Sequence, residues 1–196
     1  MMKVMIKHEN QYFNKGVEIL LQALYPKEQL VIEMVSRLEV NTLQSADIAI
    51  LQLAPGDGFI CNTKLMMHYP RLLVGVVNNK FRYSRLTHCM KDMLIIQSNE
   101  HIDSVARKIK QSLRYNEKNK GGNVEDKCRN CQHYKLSDRE EEVVKLIFDD
   151  LSVRQISERL SISKKTVYSH KQTMKSKFNL QNNYELVQLL HSLNIK

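Results

Sequence analysis

Through residue 113 short apolar runs alternate with stretches whose apolar residues recur at helical spacing; beyond residue 135 only the helical spacing remains. KVMIKH, LVIEMV, ADIAILQL, RLLVGVV and DMLIIQ are rich in Val, Ile, Leu and Met and carry little polar alternation. Runs of that kind are strands buried on both faces, as in a parallel sheet covered by helices. Helical candidates lie between them around Tyr12–Leu24, Lys64–His68 and Phe81–Met90, and a last one runs from Ile102 to Leu113. The order predicts an α/β domain over residues 1–114, a five-stranded parallel sheet with flanking helices.

Residues 115–134 are polar, hold Gly121-Gly122 and show no apolar period, which predicts a flexible interdomain linker. The remainder, 135–196, reads as four short helices. Ser137-Asp138-Arg139-Glu140 has the form of a capping box, in which a serine hydroxyl and a glutamate three residues on satisfy the free amides of a helix start. The helix it opens turns Val143, Val144, Ile147 and Leu151 inward. Ser152 with Gln155 opens a second, with Ile156 and Leu160 as its apolar pair; Ser163 caps a third; Asn182 with Glu185 opens a fourth, where Leu186, Val187, Leu189, Leu190 and Leu193 are apolar. Helices two and three are close enough in sequence to form a helix-turn-helix pair.

The third of these helices carries the chemistry. Between Ser161 and Leu180 stand Lys164, Lys165, Lys171, Lys175 and Lys177 and no acidic residue. At the helical period Val167, His170, Met174 and Phe178 form one stripe for a core, while Lys165, Tyr168, Ser169, Gln172 and Ser176 project to the opposite side. A solvated basic face is the plain explanation of such a charge run. Its place as the second member of a helix-turn-helix pair favours DNA: lysines at the flanks meet phosphates, and short polar side chains between them reach base edges.

Net charge and composition extend this picture without changing it. A formal charge of +9 and a pI near 9.4 favour polyanionic partners, and anionic membrane surfaces would attract the protein as well. The sequence holds no long apolar span, and Lys3 and Lys7 are followed by the polar run HENQYFNK rather than a signal-peptide core, so the expected location is the cytoplasm, with no membrane partner. Four cysteines in 196 residues suit a reducing compartment. No nucleophile–base pair, Gly-rich phosphate loop or suggestive carboxylate pair stands out, so neither enzymatic activity nor a cofactor is expected.

The segment LSDREEEVVKLIFDDLSVRQISERLSISKKTVYSHKQTMKSKFNLQNNYELVQLL resembles the LuxR-type helix-turn-helix domain along its whole length, about the last third of the chain. The Leu-Ser-x-Arg-Glu opening, the Ile-Ser-x-x-Leu helix, the Lys-Thr-Val-x-x-His stretch and the closing Glu-Leu-Val stand in family order. The resemblance implies base-reading positions at Tyr168, Ser169 and Gln172, to which the outward-facing Lys165 is added. It implies backbone contacts from Lys164, Lys165, Thr166, His170 and Lys171 and a dimer face on the last helix; by helical position alone, Lys175 on one flank and Lys177 on the other are further backbone contacts. His170 has two readings, a phosphate contact or a packed, hydrogen-bonded histidine.

Preceding such a domain, the α/β pattern is similar to the receiver domain of NarL/FixJ response regulators: IKHENQYFNKG looks like its first strand-to-helix turn and ILQLAPGDG like its third strand and the loop beyond. The departures carry the argument. Gln52 stands where a receiver has its phosphate-accepting aspartate, His8 and Glu9 where it has its magnesium-binding acidic pair, and Gln97 where it has the lysine that ends the fifth strand; apolar Val76 or its neighbours replace a hydroxyl residue. An amide is too weak a nucleophile for phosphoryl transfer, and one carboxylate makes a poor magnesium site. The expectation is a pseudo-receiver. Asp57, among Pro55, Gly56 and Gly58, reads as a turn residue rather than an alternative acceptor.

Cys128-Arg-Asn-Cys131 in the linker has the gap used by zinc sites and dithiol switches, with His133 as a further ligand; Lys127 and Arg129 would lower the thiol pKa. Three readings stay open: no special role, a redox switch, or a metal shared within the chain, with Cys61, Cys89 or His88, or across a dimer. The chain has no tryptophan, which speaks against the lactone-binding and cyclic-dinucleotide modules of some relatives. The sequence therefore predicts a DNA-binding transcription regulator that acts independently of receiver phosphorylation and binds double-stranded promoter DNA as a homodimer or with a related regulator. The competing class is an auxiliary interaction protein that heterodimerises with another response regulator and modulates its DNA binding, redox-responsive through Cys128 and Cys131.

Overall fold

The computed structural model describes residues 1–60, 69–78, 87, 90–118 and 136–192. The chain divides into two compact units, Met1–Leu53 with Cys61–Gln132 and Ala54–Ile60 with His133–Lys196.

All five predicted strands form: β1 (Met2–Lys7), β2 (Leu30–Met34), β3 (Ile48–Gln52), β4 (Leu72–Val77) and β5 (Leu94–Gln97). They make one parallel sheet in the order β2-β1-β3-β4-β5. Because successive side chains leave a strand on opposite faces, each apolar run feeds two cores. Val4, Ile6, Ile48, Ile50, Leu72, Val74 and Val76 pack with Val17, Leu20 and Leu21 of helix α1 (Gln11–Leu24) and Val105, Ile109 and Leu113 of helix α3 (Ile102–Lys118). Met5, Ala49, Leu51, Leu73 and Val77 pack on the other side with Leu43 of helix α2 (Val40–Ser45) and with Met90 and Met93. Two buried faces are why these runs show no polar alternation. Gly75 sits on the second face, where a Cβ would come within 2.5 Å of Met93 Sδ and 2.7 Å of Leu53 Cδ1.

Helix α2 is absent from the sequence expectation. It has six residues, one of them buried, and Asn and Thr are weak helix formers, so no period develops over VNTLQS. Helix α3 runs past Leu113 to Lys118 and takes the first four residues of the expected linker. The candidate helix at Lys64–His68, and that at Phe81–Met90 apart from Thr87 and Met90, lie outside the described residues.

The second unit carries helices α4 (Asp138–Phe148), α5 (Val153–Arg159), α6 (Lys164–Lys177) and α7 (Asn183–Ser192). The caps stand where the sequence puts them. Ser137 and Glu140 exchange both bonds of a capping box, Ser152 and Gln155 do the same, and Asn182 Oδ1 accepts from the Glu185 N–H at 2.8 Å. Val143, Val144, Ile156, Val167, Met174, Phe178, Leu186, Leu189 and Leu190 are at most 1% exposed and share one core with Phe59, from the Ala54–Ile60 segment of the same unit. Ile147 and Leu151, read from the sequence as inward-facing, are half-buried at its margin, and Val187 is exposed.

Helices α4, α5 and α6 end alike. Asp150, Ser161 and Asn179 adopt positive φ of 56°, 52° and 54°. The N–H of the residue after each, Leu151, Ile162 or Leu180, reaches back to the carbonyl of Leu146, Ser157 or Lys175 at 3.1, 3.0 and 2.8 Å. These are Schellman motifs, which satisfy the open carbonyls of a helix end and turn the following apolar residue toward the core.

Candidate nucleic-acid interface

In an open α/β sheet the crevice beyond the carboxyl ends of the strands, where strand order reverses, is the usual place for chemistry. Here β1 and β3 are neighbours, and their ends bring His8, Glu9 and Gln52 together, with Gln97 closing β5. The Glu9 N–H donates to Gln52 Oε1 at 3.0 Å; the Asn10 N–H donates to His8 Nδ1 and the Asn14 amide to the His8 carbonyl, each at 3.1 Å. The His8 ring stacks on Phe13 with centroids 4.1 Å apart. Burial lowers the His8 pKa against the opposing pull of Glu9, which favours the uncharged imidazole. An amide, a neutral imidazole and one exposed carboxylate do not fit a magnesium ion, which takes hard oxygen ligands in octahedral geometry.

At the end of β5 the Gln97 N–H donates to Glu100 Oε2 at 3.3 Å, while Glu100 also holds the Ser104 hydroxyl at 2.6 Å and Lys108 Nζ at 2.7 Å. Burial opposes the charge on Glu100, but Lys108 and Ser104 outweigh it and bring the carboxyl below its ordinary value. The lysine of this corner is thus bound to a carboxylate of its own unit. Asp57 Oδ2 accepts from the Ala54 N–H at 2.8 Å, the turn role that the sequence assigns it.

The other site is built on α6. The Ser163 hydroxyl accepts from the Thr166 N–H at 3.0 Å and shares a 2.8 Å bond with the Thr166 hydroxyl, which starts the helix just before Lys164. Val167, Met174 and Phe178 are buried, and His170, on the same stripe, is half-buried. That sets which side of the helix faces the core and which faces out. Lys164, Lys165, Tyr168, Ser169, Gln172 and Ser176 are exposed on the outer side, Tyr168 to 60%.

Lys164, Lys165, Lys171 and Lys175 make no ion pair with any described residue. Lys171 is half-buried; burial first and the ammonium of Lys175 second lower its pKa. Like charges one turn apart repel, and a cation short of water is costly without an anion beside it. This face is therefore complementary to a polyanion, with exposed polar side chains between its lysines.

Lys177 departs from the sequence expectation. It lies one turn from buried Met174, and its Nζ is 2.6 Å from Oε2 of Glu140, with the two side chains 22% and 4% exposed. Its charge is met inside the unit. On α7, Tyr184 and Val187 are 70% and 37% exposed, and Gln188 Nε2 donates to the Tyr184 hydroxyl at 3.1 Å. Cys128, Cys131 and His133, like Cys61, His88 and Cys89, lie outside the described residues. The sequence shows the Ser137–Glu140 box but not the lysine that completes it, 37 residues along the chain.

Residues 134–190 match the family model of bacterial regulatory proteins, luxR family, so the chain carries a LuxR-type helix-turn-helix domain. No curated protein sequence matches it. Among solved structures it is similar to the two-component response regulator RcsB in a complex with DNA, at 21% identity and a TM-score of 0.58 over 98% of this chain and 99% of that one. RcsB from Salmonella enterica serovar Typhimurium bound to promoter rprA in the presence of a phosphomimetic gives 19% and 0.56 over 99% and 100%. Two RcsB dimers on two parallel DNAs give 20% and 0.55 over 98% and 99%. Likeness at this identity establishes the fold: a five-stranded receiver-like unit followed by a LuxR-type helical unit.

Proposed function

We propose that this chain is a transcription regulator that lays α6 in the major groove of promoter DNA, acts as a dimer, and does so without phosphorylation of its receiver-like unit. The observation that carries the reading is the outer face of α6. Lys164, Lys171 and Lys175, like Lys165 without an acidic partner among the described residues, flank Lys165, Tyr168, Ser169 and Gln172 on a helix whose opposite stripe is buried in a core. Lys164, Thr166, His170, Lys171 and Lys175 are the backbone contacts. The luxR-family match supports the DNA-binding class, and the RcsB structures, solved on DNA and as dimers, supply the arrangement by analogy. Exposed Tyr184 and Val187 on α7 are the surface for a second copy or a related regulator.

Independence from phosphorylation rests on Gln52. Its amide has no lone pair suited to attack on phosphorus, its Oε1 already accepts from Glu9, and the Lys108 ammonium of the β5 corner is held by Glu100.

Selection from random duplexes with pure protein, followed by anisotropy titration at fixed salt, tests the proposal. A defined preferred site is expected, and Tyr168→Ala or Gln172→Ala should narrow the gap between preferred and mismatched duplexes by about 1–3 kcal/mol. Acetyl phosphate should add no phosphoryl group and leave affinity unchanged. Binding that needs a second regulator would favour the auxiliary reading; no duplex preference with or without one would end the DNA reading.

A further inference from the structure

We propose that Glu140 is a positioning residue for the DNA-reading helix: its carboxylate, through Lys177, fixes the pose of α6 against the first turn of α4. The inference rests on the DNA reading of α6 above. Glu140 is 3% exposed, and a single oxygen, Oε2, accepts from both the Ser137 N–H at 2.7 Å and Lys177 Nζ at 2.6 Å. The Glu140 N–H returns a bond to Ser137 Oγ, so the carboxylate is anchored by its own helix cap before it meets the lysine. A carboxylate in the first turn is also favoured by the helix dipole. Burial opposes its ionisation, but Lys177 and Ser137 more than offset that cost and its pKa is lowered.

The position of this bond gives it leverage. Apolar contacts along Val167, Met174 and Phe178 hold α6 down but are non-directional. Directional restraint comes at the ends, from the Ser163 cap before Lys164 and from the Glu140 bond at Lys177, the last helical residue. Those ends are about 20 Å apart at 1.5 Å per residue. A side-chain tip rides about 5–6 Å from the helix axis, so a rotation of about 20° shifts it by about 2 Å. That is enough to break a hydrogen bond to a base edge.

It follows that Lys177 weights specificity without neutralising a phosphate. Anisotropy titrations of the full chain over a salt series, on its selected duplex and on a scrambled one, test this beside thermal melts. Glu140→Asp, which keeps the charge and shortens the reach, and Lys177→Met should weaken the selected duplex about 5- to 100-fold, the worth of one misplaced base contact. Scrambled-duplex affinity and the slope of log K against log salt should stay at wild type, and Lys177→Arg should recover most of the loss. The double variant should be no worse than the weaker single one.

A slope reduced by about 0.9 in Lys177→Met would make that lysine a phosphate contact and overturn the inference. So would a wild-type preference unaltered in Glu140→Asp, or a loss equal on both duplexes that tracks the melts. Should Lys177→Met not fold, Glu140→Asp and Lys177→Arg give the same decision. Wild type without preference for any duplex would instead overturn the DNA reading, and this inference with it.

Discussion

The carboxyl edge of the sheet and the outer face of α6 are both polar, and both stand where their folds usually keep function, yet they differ in where their partners are. At the sheet edge these groups bond to one another: Gln52 takes the Glu9 N–H, His8 takes the Asn10 N–H and its carbonyl accepts from the Asn14 amide, and Glu100 holds Lys108. On α6 four lysines have no acidic partner among the described residues, and one of them, Lys171, is partly buried beside another cation. Counting polar residues would not separate the two sites. What separates them is whether the bonds close inside the unit.

The contrast breaks most directly if both sites respond alike to salt. Replacing Lys164, Lys171 and Lys175 together by Ala should reduce the slope of log K against log salt by about 2–3, at about 0.9 per phosphate contact. Gln52→Ala should leave that slope alone and lower stability by about 1 kcal/mol through loss of its bond to Glu9. Equal slopes in the two variants, in titrations between 50 and 200 mM salt as about the useful range, would mean that the open face of α6 is not where DNA sits.

A smaller effect sharpens the point at one residue. The folded state lowers the pKa of Lys171, so the unfolded chain binds that proton more tightly, and stability rises as pH climbs from the lowered value toward 10.5. At neutral pH the ammonium therefore costs stability, and Lys171→Met should raise the melting temperature while weakening DNA binding. A phosphate beside the ammonium removes the penalty, so wild-type affinity should fall with rising pH through the same alkaline window. In Lys171→Met that fall should be lost. Melting curves and titrations from pH 7 to about pH 10 follow both; a variant that loses stability and affinity together would make Lys171 a packing residue.

How much of this is legible in sequence depends on the range of the interaction. The strands are continuous apolar runs, the caps at Ser137, Ser152, Ser163 and Asn182 and the inner stripe Val167, Met174 and Phe178 are local patterns at spacing 3 or 3.6, and each forms where it is read. Helix α2 is too short to show a period. The bonds Gln52–Glu9 and Glu140–Lys177 join residues 43 and 37 apart, and no local spacing reveals them. Lys177 is the instructive case: charge composition puts it with the DNA-facing lysines, and only the packing of α6 on α4 gives it an internal partner.

The helix ends were the other hidden feature, and they yield the smallest effect. All three non-glycine residues of positive φ among those described, Asp150, Ser161 and Asn179, lie in the helical unit, and none in the α/β unit. Ser161 sits in the turn between α5 and α6, where its N–H bonds the Glu158 carbonyl at 3.3 Å and that of Ile162 bonds Ser157 at 3.0 Å. A left-handed backbone costs an L-residue about 1–2 kcal/mol. Glycine escapes that strain but gives up about 0.5–1 kcal/mol of backbone entropy. Ser161→Gly should therefore stabilise the protein by about 0.5–1 kcal/mol, read as a higher urea midpoint at constant m. Asn179→Gly should gain less, because asparagine tolerates this region. DNA affinity should not move in either, since the turn already has the geometry glycine prefers. A destabilised Ser161→Gly would show that the serine hydroxyl, rather than the backbone, holds the turn that aims α6.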